Sequence, residues 1–428
     1  MKRLQAYQYQ MMPNGEQILR MRRIAGSCRY VWNKSLALQQ ENQAAGEKFI
    51  NHFSMCKWLP EWKKEPETIW LKETPSQLFQ VVLKDLARAY KNFFDKRADL
   101  PKFKKKGYRI SFCFPQGCEL DEGNSRIKLP KLGWMRYRKS RGVEGVIKNI
   151  TVSCVANKWC VSIQTEREVV QPMHPSTSII GLDAGITLFA TLSDGSQFAP
   201  VNALRTNAAK MEKYQRRMSR KVKFSNNWKK AKARITKLHQ RVAHIRNDFL
   251  HKTSNTISKN HAIVVIEDLK VTNMSQSANG TIEKPGRNVK AKSGLNKSIL
   301  DQGWGEFRRQ LEYKQAWRGG EVVAVNPRNT SRTCPCCSHV SAENRKTQAK
   351  FECIECGYAE NADLNAAHNI LRAGHARLAC QVNGAVMPSA AGTHRSDLSR
   401  NRLSTVGVPA LYGREDVKSA TFSYSSGG

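Results

Sequence analysis

Between residues 334 and 370 the chain reads CPCCSHVSAENRKTQAKFECIECGYAENADLNAAHNI, and its paired cysteines constrain the fold more tightly than any other feature. Cys334 and Cys337 are separated by two residues, 15 residues follow, and Cys353 and Cys356 repeat the gap. A two-residue gap lets both thiolates of a knuckle face one tetrahedral metal. Two knuckles at this spacing fit a structural zinc site with Zn–S distances of about 2.3 Å. Four thiolates leave no open position for water, so such a zinc holds the chain together and does no chemistry on a substrate. Cys336 adjoins Cys337, and spacing alone assigns the ligand to Cys337.

The charge narrows the partner. The 428 residues carry 71 Lys and Arg against 35 Asp and Glu, a net charge of +36. So large an excess repels itself unless a polyanion neutralises it, which points to nucleic acid. Residues 205 to 246 concentrate the effect, with 15 basic residues and a single acid, Glu212, on a helical pattern. That exceeds what solvating a helix face requires and fits a surface that tracks a phosphate backbone. KFKKKGYR at 102 to 109 adds a second patch, in which Phe103 and Tyr108 suit either base stacking or core packing. The basic N-terminus lacks the apolar centre of a signal peptide, and no apolar run reaches membrane length. These features predict a protein that stays in the cytosol without membrane contact. Eight of the twelve cysteines lie outside the knuckles, and in a reducing compartment they read as small buried hydrophobes rather than a disulfide framework.

Hydrophobic periodicity divides the chain. RLQAYQYQMM alternates as a strand that Pro13 and Gly15 end. Two helical patterns follow within residues 14 to 96, one with Ile18, Leu19, Ile24, Cys28, Val31 and Trp32 on its apolar face, the other with Leu78, Val82, Leu86, Tyr90 and Phe93. From 97 to 177 the period drops to two, in short runs punctuated by Gly, Pro and Asn, which predicts a β-barrel or sandwich that recruits the first strand. Beyond it, two buried apolar strands, IIGLD and AIVVIE, alternate with helices, the mark of an α/β sheet. Residues 273 to 296 read as a loop, and the segment from 376 to 428 as a disordered tail.

Each of the two apolar strands ends in an acid, Asp183 and Glu267, and Asp363 stands where a helix begins after the second knuckle. Singly, each has a plain reading: a turn residue, a solvated strand end, a helix cap. Together, two acids at strand ends and one at the head of a later helix can converge at one edge of an α/β sheet. Carboxylates brought that close repel one another and need divalent cations, and hard oxygen ligands suit Mg²⁺ or Mn²⁺. Two such metals activate water and stabilise a leaving oxygen in phosphodiester cleavage.

These segments resemble a known family. IIGLDAGITLFATLSDG, IVVIEDLKVTNM, LDQGWGEFRRQLEYKQAW and the cysteine region through ENADLNAAHNIL are similar to the TnpB (OrfB) proteins of small bacterial insertion sequences, relatives of the type V CRISPR effectors. GSCRYVWNKSLA, VVLKDLARAYKNFFDKR and LPKFKKKG in the front half are similar to it as well, so the resemblance covers roughly residues 1 to 375. It implies an RNase H-like (RuvC-like) α/β nuclease domain at 178–330 and 358–375 with a zinc-binding insert at 331–357. Before these it implies an all-β barrel, the wedge domain, at 1–13 and 97–177, with a helical recognition domain at 14–96.

The resemblance further implies an RNA-guided DNA endonuclease, with a transposon-derived guide RNA, a double-stranded DNA target, Mg²⁺ or Mn²⁺ at the nuclease site and one structural Zn²⁺. Asp183, Glu267 and Asp363 fall on its catalytic metal positions, and Cys334, Cys337, Cys353 and Cys356 on its zinc positions. Ser76 and Gln80 match a helix that contacts the short DNA motif beside the target, where a Gln can read adenine. Two other readings stay open: a transposase acting directly on transposon-end DNA, and a nuclease-inactive RNA-guided repressor.

Overall fold

The computed structural model describes residues 1–107 and 110–382, which form two units, 1–169 and 170–382. Tyr108 and the tail from residue 383 onward lie outside the described residues.

The first unit is built on β1 (Lys2–Met12), which buries Tyr7, Tyr9 and Met11 on one face by strict alternation. Asn14 then caps α1 (Gly15–Ala44): its side chain accepts from the Gln17 backbone N–H at 2.8 Å while Gln17 reaches back to the Asn14 N–H at 3.1 Å. Helices α2 (His52–Trp62) and α3 (Ser76–Phe94) follow, joined by a 3₁₀ turn at Pro66–Glu73. Leu78, Val82, Leu86 and Tyr90 of α3 are buried as the periodicity predicts, whereas Leu19 of α1 points to solvent.

Strands β2 (Ile110–Phe114), β3 (Glu119–Asp121), β4 (Arg126–Leu129), β5 (Gly133–Tyr137), β6 (Val146–Val155) and β7 (Lys158–Glu168) complete a sheet ordered β2-β6-β7-β1-β5-β4-β3. Every pairing in it is antiparallel, and β1 lies at its centre, running from Lys2↔Glu168 on β7 to Met12↔Arg136 on β5. The expected barrel is therefore an open seven-stranded sheet, with no pairing between β2 and β3 among the described residues. Closure is not needed to cover the apolar face, because the helices bury Met21, Val31, Leu36, Phe79 and Leu83 in the same core as Tyr9, Phe114 and Val161.

The second unit has a sheet ordered β10-β9-β8-β11-β12: β8 (Ile179–Asp183), β9 (Ala190–Leu192), β10 (Gln197–Phe198), β11 (Ile263–Glu267) and β12 (Glu321–Val325). Strands β8, β11 and β12 are parallel, in the register Ile180↔Val264↔Val322, while β9 and β10 return antiparallel as the predicted hairpin. The basic region forms two long helices, α4 (Ala203–Ser219) and α5 (Asn226–Asn260). Helices α6 (Val271–Met274), α7 (Val289–Gln302) and α8 (Trp304–Arg318) lead to β12. Residues 289 to 296, expected in a loop, are the first turns of α7, which starts after Asn288 in a left-handed conformation. A small hairpin, β13 (Lys350–Glu352) and β14 (Ala359–Asn361), runs into α9 (Ala362–Val382). Helix α9 continues to Val382, past residue 376, because Leu378 still packs on the sheet.

Both faces of the parallel strands are covered, which is why they read as unbroken apolar runs. Val264 and Ile266 pack with Leu250, Phe307 and Leu311 from α5 and α8, while Val265 and Val323 pack with Ile370 of α9. This is the RNase H-like (RuvC-like) α/β arrangement that the resemblance implies.

Asp301, the acid of the LDQGWGEF motif, serves the fold. It is 4% exposed and accepts from the Leu204 N–H at 2.9 Å and the Arg205 N–H at 3.2 Å, with Arg246 at 3.3 Å. Asn202 supplies no side-chain cap to α4, so Asp301 takes that place from a distant helix. Asp301→Ala leaves buried donors and a cation without an acceptor and should destabilise the protein by about 3 kcal/mol in denaturant unfolding.

Candidate active site

Strand alternation aims the two strand-end carboxylates at the same helix. Asp183 shares its face of β8 with Gly181, and Glu267 shares its face of β11 with Val265, and both of these neighbours lie against α9. Leu182 pairs with Ile266, so Asp183 and Glu267 end adjacent parallel strands. Their backbones are about 4.8 Å apart at strand spacing.

Helix α9 reaches them only because the contact is stripped of side chains. A Cβ on Gly181 would stand 2.2 Å from the Ala367 carbonyl oxygen and 2.8 Å from the Leu371 Cβ, and one on Gly374 would stand 2.4 Å from a Val265 methyl. This fit brings the first turn of α9, with Asp363, to the end of the sheet that carries Asp183 and Glu267. Asp363 does not cap its helix: the Asn361 side chain does, accepting from the Asp363 N–H at 2.9 Å and the Leu364 N–H at 3.3 Å. The Asp363 carboxylate is thereby left for other partners.

The electrostatics follow from this crowding. Burial, reinforced by Glu267 and Asp363, pushes the Asp183 carboxyl up to about 7. Burial also raises Glu267, opposed by a 2.6 Å hydrogen bond from the Thr330 hydroxyl. Arg345 is the cation nearby, 3.5 Å from Asp363. One guanidinium among three carboxylates leaves an acidic cluster.

The cysteines form a second cluster. Cys334 Sγ lies 3.6 Å from Cys356 Sγ and Cys337 Sγ 3.5 Å from Cys353 Sγ, and all four sulfurs fall within 4.8 Å of one another. A tetrahedron with Zn–S distances of about 2.3 Å requires S–S separations of about 3.8 Å, so the donor set and its spacing fit zinc. Cys336 is exposed and outside the set. Among the described residues, only Phe351, Ala362 and the partly buried Tyr358 join Cys334 and Cys353 in an apolar cluster, too little apolar surface to order this segment without a metal.

Two links join the cysteine segment to the carboxylates, and sequence reasoning missed both. Asn344, 1% exposed, donates to the carbonyls of Arg332 and His339 and accepts from the Ile354 N–H, tying the two knuckles together. Its neighbour Arg345 reaches Asp363. Asn369 of α9 donates to the carbonyls of Thr330 and Thr333 at 2.9 and 2.8 Å, which fixes the threonine that orients Glu267. Nothing in their spacing marks Thr330, Asn344 or Arg345, since each acts through contacts across the fold.

Ser76 and Gln80 lie in the first unit. Both are exposed on the first turns of α3, the Ser76 hydroxyl accepting from Lys63 and the Gln80 carbonyl 3.2 Å from His52 Nε2. Ser76 is the first residue of the helix, and Pro75 precedes it without a side-chain cap.

Two measurements check this site. Cys337→Ser should lower zinc content and thermal stability, while Cys336→Ser leaves both unchanged, read by metal analysis and calorimetry. In zinc-loaded, magnesium-free protein, Asp183 binds its proton more tightly folded than unfolded. Stability should therefore fall as pH rises from about 4 to about 7. Asp183→Asn should flatten that slope in pH-dependent unfolding.

Comparison with known proteins shows the family. Residues 160–278 match the family model described as "Probable transposase", residues 304–370 that of a Cas12f1-like TNB domain, and residues 1–48 that of a helix-turn-helix domain. The last label does not describe the geometry, which is a strand followed by one long helix. The chain is 60% identical over 380 residues to InsQ of Escherichia coli (strain K12), named as a candidate RNA-guided DNA endonuclease, covering 89% of this chain and 94% of that one. A Streptomyces pristinaespiralis protein, named likewise, is 32% identical over 415 residues, 95% of this chain and 98% of its own. The fold is similar to Cas12f1 in a complex with single guide RNA and target DNA, with a TM-score of 0.50 at 16% identity over 83% of this chain and 82% of that one. The chain belongs to the TnpB (OrfB) family.

Proposed function

We propose that the chain is an RNA-guided DNA endonuclease that hydrolyses phosphodiester bonds at a single site, with Asp183, Glu267 and Asp363 holding Mg²⁺ or Mn²⁺. The observation that carries this reading is the placement of two strand-end carboxylates on one sheet face, under the helix whose first turn bears the third. Bound metal would activate water and stabilise the leaving oxygen. The protein's own groups prepare the site. Thr330 fixes one oxygen of Glu267, and Arg345 balances Asp363 before substrate arrives.

The net charge of +36 and the names borne by the relatives support a guide RNA and a DNA target as partners. The exposed Ser76 and Gln80 are the proposed contacts to the motif beside the target, within a helical recognition insert at 14–96 of the wedge sheet. With Cys334, Cys337, Cys353 and Cys356 bound, zinc would hold Arg345 and Thr330 in place and take no part in hydrolysis.

Asp183→Ala removes a metal ligand and none of the basic surface. It should abolish DNA cleavage while leaving RNA and DNA affinity within about twofold of wild type, since phosphate contacts set that affinity. The same preparation tests guidance: a discrete RNA overlapping the 3′ end of the gene should co-purify. Cleavage of transposon-end DNA by RNA-free protein would instead favour the direct transposase, the activity named in the matching family model.

A further inference from the structure

The turn between α4 and α5, residues 220 to 225, carries two apolar side chains where a charged hairpin needs none. Val222 is 81% exposed and Phe224 65% exposed. Phe224 also sits at a φ of +69°, a left-handed conformation that Gly or Asn adopts at far lower cost than a bulky side chain. Its ring meets Trp228 edge-on, with centroids 5.4 Å apart, and neither ring belongs to the small core of Met211, Ile235 and Leu238 that holds the two helices together. Ser225 caps α5 through the Trp228 N–H and fixes the pair relative to the helix. Lys223 Nζ lies 5.4 Å from the Phe224 centroid and Lys232 Nζ 5.1 Å from that of Trp228. Arg220, Lys221, Lys229 and Lys230 adjoin them in the chain, and the turn holds no acid.

A strained, exposed aromatic contributes nothing to the core that joins the two helices, and strain of this kind is retained where it is used. Two π-faces ringed by cations match the chemistry of an unpaired nucleotide, base on ring and phosphate on lysine. We infer that the Phe224–Trp228 tip of the α4–α5 hairpin is a stacking platform for an unpaired base of RNA. RNA is the occupant of choice because single-stranded loops of folded RNA present splayed bases, and a resident RNA covers Val222 and Phe224 permanently, as a passing DNA does not. This inference rests on the guided reading for the presence of that RNA.

The test uses the full chain and three probes: a short single-stranded oligoadenylate RNA, an RNA duplex of equal length, and the matching single-stranded DNA, each followed by fluorescence anisotropy across a salt series. Phe224→Ala and Phe224→Leu should each weaken single-stranded RNA binding about fivefold or more, while Phe224→Tyr keeps it and duplex binding is unaffected. The salt slope should stay at its wild-type value in the Phe224 variants and drop by about 0.7 in Lys223→Gln. Phe224→Gly relieves the backbone, so its melting temperature should hold or rise while binding falls, which a purely structural role does not produce. Wild-type affinity in Phe224→Leu, or an equal loss on the duplex, overturns the platform. A loss confined to the DNA probe overturns the RNA assignment. Wild-type protein that binds none of the RNA probes overturns the guided reading itself.

Discussion

The approach of α9 to the parallel strands governs the second unit. At Gly181 the backbones of helix and strand come so close that a single added carbon would meet the Ala367 carbonyl oxygen at 2.2 Å. Interiors are close-packed, and a backbone oxygen on a buried helix has nowhere to retreat. Gly374 repeats the condition further along, against Val265. The helix is pinned at two points, and the position of Asp363 relative to Asp183 and Glu267 follows from packing rather than from any attraction among the three acids.

That attraction is in fact repulsion, and the site is built against it. Burial and mutual charge raise Asp183, and burial raises Glu267, so the folded chain holds this cluster at a cost that packing elsewhere offsets. Asp301 shows the contrast. It too is a buried carboxylate, but backbone N–H groups and Arg246 satisfy it, and it caps a helix. Its partners meet its charge, while burial and two neighbouring carboxylates raise Asp183.

The cysteine segment bears on the same site from the other side. Asn344 ties its knuckles together beside Arg345, and Asn369 holds the Thr330 and Thr333 carbonyls. A metal at the four thiolates would thus act on the carboxylates at one remove, through the order it imposes on a segment with almost no core of its own.

Much of this was legible in the sequence because it depends on local spacing. The cysteine register, with Cys337 chosen over Cys336, follows from a two-residue gap that any metal knuckle demands, and the four sulfurs do cluster. The apolar runs ending in Asp183 and Glu267 are legible because strands covered on both faces must be apolar throughout. The first sheet was legible as alternating strands, but not its openness, since closure depends on what else covers the face. Taken alone, Asp363 at a helix start reads as a cap, and the placement of Asn361 removes that reading. Sequence by itself determined the elements, the thiolate set and the excess of charge, all consequences of periodicity and composition. Tertiary structure decided the partners of those elements: Thr330 on Glu267, Arg345 on Asp363, Asp301 on a distant helix, the glycines under α9. These contacts join residues far apart in the chain, and their geometry exists only once the layers have packed.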